Sequence, residues 1–225
     1  FAGSNAAGVI SGEANITVDH DGTCDEHLDE VYGGGNLAEG NAGTVTIECG
    51  ADVGDVYGGA NQANVTNDIT LNITGGQINR VFGGNNTSGN ISGSITVNIE
   101  IDETACKNAS LNYVYGAGNQ AAYTPTTPGA YPAVNLIKGT VKQNVYGGGL
   151  GASATVTSNP TVTLEGVTVN GDIFGGGDAA PVIGNPTVVA NYGTSANIFG
   201  GGKGETAIVT GGTHVTIDQT EGKTL

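Results

Sequence analysis

Between Asp19 and Glu30 the chain places Asp19, Asp21, Thr23, Asp25, His27 and Glu30 at offsets 1, 3, 5, 7, 9 and 12. That is the spacing at which oxygen ligands reach a calcium ion in a helix-flanked loop. Two departures count against it: Cys24 stands where such loops need Gly, and no helical pattern flanks the segment. Six of the chain's 21 acidic residues fall here, so an ordered loop needs a cation or water to offset their repulsion. The expectation is a calcium site on Asp19, Asp21, Asp25 and Glu30, set against a solvated acidic loop.

Other reactive residues are sparse. Arg80 is the only arginine, and His20, His27 and His214 have no Ser or Cys in a nucleophile setting. Asp52 and Asp55 form the one carboxylate pair that stands out, whereas glycan-cleaving enzymes need carboxylates converging on a face. The reading is therefore non-enzymatic. Cys24 and Cys49 each lie seven residues before a recurring Val-Tyr box, so they stack on adjacent rungs if the boxes align, close enough for a disulfide. Cys106, eight residues before its box, is expected to be unpaired. For ligand contact, Tyr123 and Tyr131 in a Pro-rich stretch are the candidates.

These residues hang on a repeat. Val31-Tyr32-Gly33-Gly34 recurs as Val56-Tyr57-Gly58-Gly59, Val81-Phe82-Gly83-Gly84, Val114-Tyr115-Gly116-Ala117, Val145-Tyr146-Gly147-Gly148, Ile173-Phe174-Gly175-Gly176 and Ile198-Phe199-Gly200-Gly201. Alternating strands lie between, centred on Thr17, Thr46, Thr70, Thr96, Asn135, Thr163, Val189 and Thr216 with apolar flanks. A unit of about 25 residues cannot bury a core alone, and without a helix to cross over it must stack on its copies. The fold expected is all-β: a single-stranded parallel β-helix (β-solenoid), right-handed by the preference of parallel crossovers, with about eight rungs. An antiparallel sandwich fits less well, because the same strand returns in the same phase. The Gly pairs are expected to supply positive φ at corners. The aromatic column is expected to be a buried stack, and Asn36, Asn61, Asn86 and Asn119 a structural ladder holding a left-handed turn.

One solenoid domain is expected over residues 1–225, with insertions at 19–30, 100–110 and 122–132, where such scaffolds carry recognition. The start at Phe1 and the absence of visible caps suggest a piece of a longer protein. An outward Thr ladder is too interrupted, at Asn135 and Val189, for an ice-binding face.

Composition sets the outer limits. Gly supplies 41 of 225 residues with no strict three-residue period, which excludes collagen, and three Cys exclude a disulfide-dense miniprotein. Six basic against 21 acidic residues leave a net charge of −15, which repels a phosphate backbone, so nucleic acid is not an expected partner. No apolar run is long enough for a membrane helix.

The Asn/Asp-Val-Tyr-Gly-Gly-Gly-Asn box alternating with Val-Thr-Val-Asn-Ile strands resembles the β-helical repeat regions of large adhesin-like surface proteins of gut bacteria. The resemblance runs from Ile10 to Ile217. It implies extracellular display at the bacterial cell surface and binding to host or neighbouring-cell glycoproteins or glycans, and it brings no catalytic residues with it. A carbohydrate-active β-helix enzyme and a bare structural spacer are the alternatives.

Overall fold

The computed structural model describes residues 1–19, 26–218 and 222–224. Fifteen strands are present among them: β1 (Ile16–Val18), β2 (Leu28–Tyr32), β3 (Thr44–Ile47), β4 (Asp52–Tyr57), β5 (Ile69–Ile73), β6 (Gln77–Phe82), β7 (Ile95–Glu100), β8 (Ser110–Tyr115), β9 (Pro132–Val141), β10 (Val145–Tyr146), β11 (Thr161–Val169), β12 (Ile173–Phe174), β13 (Thr187–Thr194), β14 (Ile198–Phe199) and β15 (His214–Ile217). All pair in parallel within one sheet, which winds as a β-solenoid of about seven turns rather than eight.

Each rung has three sides. Alternating strands form the first, from β1 through β3, β5, β7, β9, β11 and β13 to β15. The aromatic boxes form the second, with Val31, Val56, Val81, Val114, Val145, Ile173 and Ile198 in one register column. Single bridges such as Tyr123–Val156–Val182–Val209 make the third. Inward Val, Ile and Leu from all sides meet in one core, with Val45, Leu71, Val97, Val134, Leu164 and Val188 fully buried.

The observed register moves two strands of the sequence alignment. Thr46 pairs with Asn72, not Thr70, and Asn135 with Asn98, not Thr96, while Thr70 and Thr96 pair with each other as the alignment has them. A slip of two residues keeps every side chain on its own face, so alternation alone is blind to it.

The aromatic residues form a second core. Phe1, Tyr32, Tyr57, Phe82, Tyr115, Tyr146, Phe174 and Phe199 stack in sequence, with centroids 4.3 to 5.1 Å apart and interplanar angles of 12° or less. Six of the eight are buried, and the aliphatic residue before each ring faces the main core instead. Phe1-Ala2-Gly3-Ser4-Asn5 is an eighth box: Ala2 N donates to Tyr32 O, and Asn36 donates its amide to Asn5. The Asn column runs on through Asn61, Asn86 and Asn119, amide to amide at 2.8 to 3.2 Å.

Two expectations about backbone conformation fail. The box glycines are not at positive φ, and among the described residues the only positive-φ residue other than glycine is Ala179, so no left-handed Asn turn exists. What the box needs is space. A Cβ on Gly175 would lie 2.6 Å from Gly200 O, and one on Gly148 would lie 2.8 Å from Gly177 N. Glycine stacks on glycine so that neighbouring rungs can approach at ladder distance.

Candidate functional site

The three insertions meet different fates. Of the expected calcium ligands, Asp21 and Asp25 lie outside the described residues, as do His20 and Cys24. Asp19 is exposed, and Glu30 sits on β2 in register with Asp55 and beside the Tyr32 phenol. No group of three metal-ligating side chains occurs among the described residues. His27 Nδ1 instead lies 3.0 Å from Asp52.

The insertion at 100–110 is stapled down. Cys106 is disulfide-bonded to Cys49 with Cα atoms 5.3 Å apart, which corrects the expected free Cys106 and gives Cys49 a partner other than Cys24, the pairing the sequence had left open. The bond passes over the intervening rung at Gly75, where a Cβ would sit 2.7 Å from Cys49 N and 2.9 Å from Cys106 Sγ. At the base of the same insertion Asp102 accepts from Thr104 and pairs with Lys138 at 2.8 Å. The Lys138 ammonium and the Thr104 donors hold the Asp102 carboxyl well below the usual carboxylate range.

Asp52 and Asp55 have separate partners, His27 and Arg80. Asp55 is buried and takes a bidentate fork from Arg80: Nε donates at 2.8 Å, and Nη2 donates to the other oxygen. The guanidinium also stands 5.4 Å from the Phe82 ring centre, and its own pKa is raised by the Asp55 hydrogen bonds. Burial pushes the Tyr57 phenol up, and the nearby Asp55 carboxylate adds to it. Glu30 and Asp55 thus lie on neighbouring rungs, but Asp55 is committed to Arg80.

The Pro-rich insertion builds the pocket. Tyr123 is 1 % exposed, donates its hydroxyl to Gly93 O at 2.8 Å and bridges Val156, so it is a core residue with no surface for a ligand. Thr124 N and O both bond the Asn90 side chain, which fixes the root of the loop, and Thr126 and Thr127 donate their backbone N–H groups to Ser92 O. Gly129, at φ +79°, turns the tip. The loop then returns through Tyr131, 44 % exposed, into β9.

Between residues 125–131 and 157–159 this leaves an open pocket of about 290 Å³. Its walls carry the Tyr131 ring, the side chains of Thr126, Thr127, Thr157 and Ser158, and the Asn159 amide, with no charged residue. The Ser158 hydroxyl is buried without a hydrogen-bond partner, the one such side-chain atom among the described residues. Asn159 uses its amide oxygen to accept from Asn185 N at 2.7 Å. Of the two tyrosines singled out from sequence, only Tyr131 belongs to this site. Ser158 carried no signal in the sequence, because its role depends on the loop one rung away.

Fold and site together define a class: a disulfide-stapled parallel β-solenoid with an uncharged pocket at a corner insertion. No protein-family profile, curated protein or solved structure matches the chain. No helix of the described residues is long and apolar enough to cross a membrane.

Proposed function

We propose that this chain is a non-enzymatic, adhesin-type repeat domain of an extracellular bacterial surface protein, presenting its Pro-rich corner insertion to host or neighbouring-cell glycoproteins or glycans. The observation that carries the reading is the pocket itself, in which a half-exposed aromatic ring on a loop anchored at both ends to a rigid scaffold shares a cavity with the unpartnered Ser158 hydroxyl of the next rung. Placing binding residues on loops held by a regular frame is the usual division of labour in such folds. Extracellular residence is supported by the Cys49–Cys106 disulfide, because such bonds persist in oxidising compartments.

The test is adhesion of beads coated with the chain to epithelial mucus and to bacterial cells. Beads carrying a chain in which residues 125–130 are replaced by a short Gly-Ser turn should lose adhesion, with the circular-dichroism spectrum unchanged. Undiminished adhesion of those beads refutes the reading. A glycan-cleaving enzyme is the second reading, favoured by the neighbouring carboxylates Glu30 and Asp55. It predicts release of reducing ends from glycans that is lost in Glu30→Gln, and we expect no release from the unaltered chain.

A further inference from the structure

We propose that the corner pocket binds a neutral sugar ring, a hexose unit of an uncharged glycan. This rests on the display function proposed above and names the ligand of that same site. Three independent features of the pocket converge on it.

The first is the wall chemistry. Tyr131 offers an exposed aromatic face, which suits the C–H face of a pyranose, while Thr126, Thr127, Thr157 and the Asn159 amide offer groups that match ring hydroxyls. A peptide partner of charged character finds no countercharge here. The second is the Ser158 hydroxyl. A buried, unpartnered polar atom is costly to keep unless a ligand completes it, and Ser158 is among the residues that line this pocket. A sugar hydroxyl, donor and acceptor at once, completes it in either orientation.

The third feature is electrostatic and concerns the surroundings. Both pocket walls run directly into strands of the alternating side, Tyr131 into β9 and Asn159 into β11. The two central outward columns of that side contain no Asp, Glu, Lys or Arg, and the charges of these strands (Glu100, Lys138 and Glu165) lie in the column beyond them. One runs from Thr44 through Thr70, Thr96, Ala133 and Thr161 to Thr187, and the other lies beside it from Thr46 to Thr216. In a chain of net charge −15, these columns form an uncharged band on which a neutral glycan can continue beyond the pocket, whereas a uronic or sialic acid would meet net repulsion. Ala133, the smallest side chain of the first column, lies two residues beyond Tyr131 and leaves the step between pocket and band low.

The experiment uses the full chain, biotinylated and displayed on streptavidin so that weak single-site binding is read as avidity. It is applied to immobilised neutral oligosaccharides (gluco-, galacto-, manno- and N-acetylglucosamine series) and to uronic-acid and sialylated counterparts. Binding to at least one neutral series and to none of the acidic ones is expected. Tyr131→Ala should weaken it at least tenfold with an unchanged unfolding midpoint. Ser158→Ala should weaken it several-fold while leaving the midpoint unchanged or raised, an opposition that a purely structural serine would not produce. Binding to acidic glycans alone, no glycan binding, or binding indifferent to both substitutions overturns the proposal. If the chain ignores every glycan but its beads still adhere through the 125–130 loop, a protein is the ligand: the sugar assignment fails and the display function stands. If adhesion survives replacement of that loop, the display function itself fails.

Discussion

Replacing Gly148 by Ala separates the two reasons a repeat protein can have for glycine. Gly148 and Gly201 occupy the same position of the box, each inside a Gly-Gly-Gly run after an aromatic residue, and neither is at positive φ. A Cβ at Gly148 would lie 2.8 Å from Gly177 N and 2.9 Å from Gly177 Cα, against an ordinary contact of 3.4 Å or more, and both neighbours are backbone. At Gly201 a Cβ meets nothing within 4 Å. The substitution stiffens the unfolded chain equally in both variants, a gain of about 0.4–1 kcal/mol. Only Gly148→Ala carries the overpacking strain, about 1–3 kcal/mol. The gap between the variants is therefore that strain, about 2–12 °C in midpoint at the roughly 2–4 °C per kcal/mol usual for chains of this size. Thermal unfolding followed by circular dichroism measures it. Gly201→Ala should melt at or slightly above the unaltered chain and Gly148→Ala clearly below Gly201→Ala. Equal loss in both would mean that the box glycines are required for conformation, and the spatial account would be wrong.

Breaking the staple by Cys106→Ser removes a cross-link that closes 57 residues, a loss of up to about 4 kcal/mol in the chain-entropy account, and dithiothreitol should lower the denaturant midpoint of the unaltered chain to match. Arg80→Met leaves the buried Asp55 without its fork and should cost about 3 kcal/mol, while the double variant Asp55→Leu/Arg80→Met should recover most of it in the same denaturation assay. Burial raises the phenols of Tyr32, Tyr57, Tyr115, Tyr123 and Tyr146 far above their ordinary pKa near 10, so unfolding releases protons that the folded chain retains. Stability is thus unaffected by these groups below pH 10 and falls as pH climbs through and beyond it. In an ultraviolet phenolate titration, five of the eight tyrosines should ionise only together with loss of the β signal.

The architecture was legible because a solenoid writes its period into the chain. The aromatic boxes pair as their spacing implies, from Val31 with Val56 to Phe174 with Phe199. What escaped was whatever the period does not fix. The eighth box, Phe1-Ala2-Gly3-Ser4-Asn5, has Ala and Ser at two of the glycine positions, yet Phe1 stacks on Tyr32 because ring and small residues suffice for the geometry. The strand centres at Thr70 and Thr96 slipped by two because a period of two permits it. Distance from the box also misled the cysteines. Cys106 lies on an inserted segment that folds back over Gly75, so its sequence offset says nothing about which rung it reaches. Tyr123 was counted with the insertion, but its backbone continues the third-side column through Val156 and Val182, and the loop starts only after it.

That last boundary explains why the candidate site lies where it does. In the Asn columns the amides are answered by their copies one rung away: Asn98 donates to Asn72, Asn135 to Asn98, and Asn119 to Asn86. Such columns consume their own hydrogen-bonding capacity and leave little for a ligand. After Thr124 the chain departs from the column, so residues 157–159 of the next rung face an arching loop instead of a matching strand. Ser158 loses the partner that repetition would supply, and a cavity opens beside it. Because each rung rests only on its neighbours, this departure costs the remaining rungs almost nothing. A solenoid can therefore keep its stability in the repeat and its chemistry in the places where the repeat is broken. The corner of rungs carrying β9 and β11 is such a place, and Ser158→Ala, by trading an unpaired hydroxyl for stability, reads out both sides of that division in one variant.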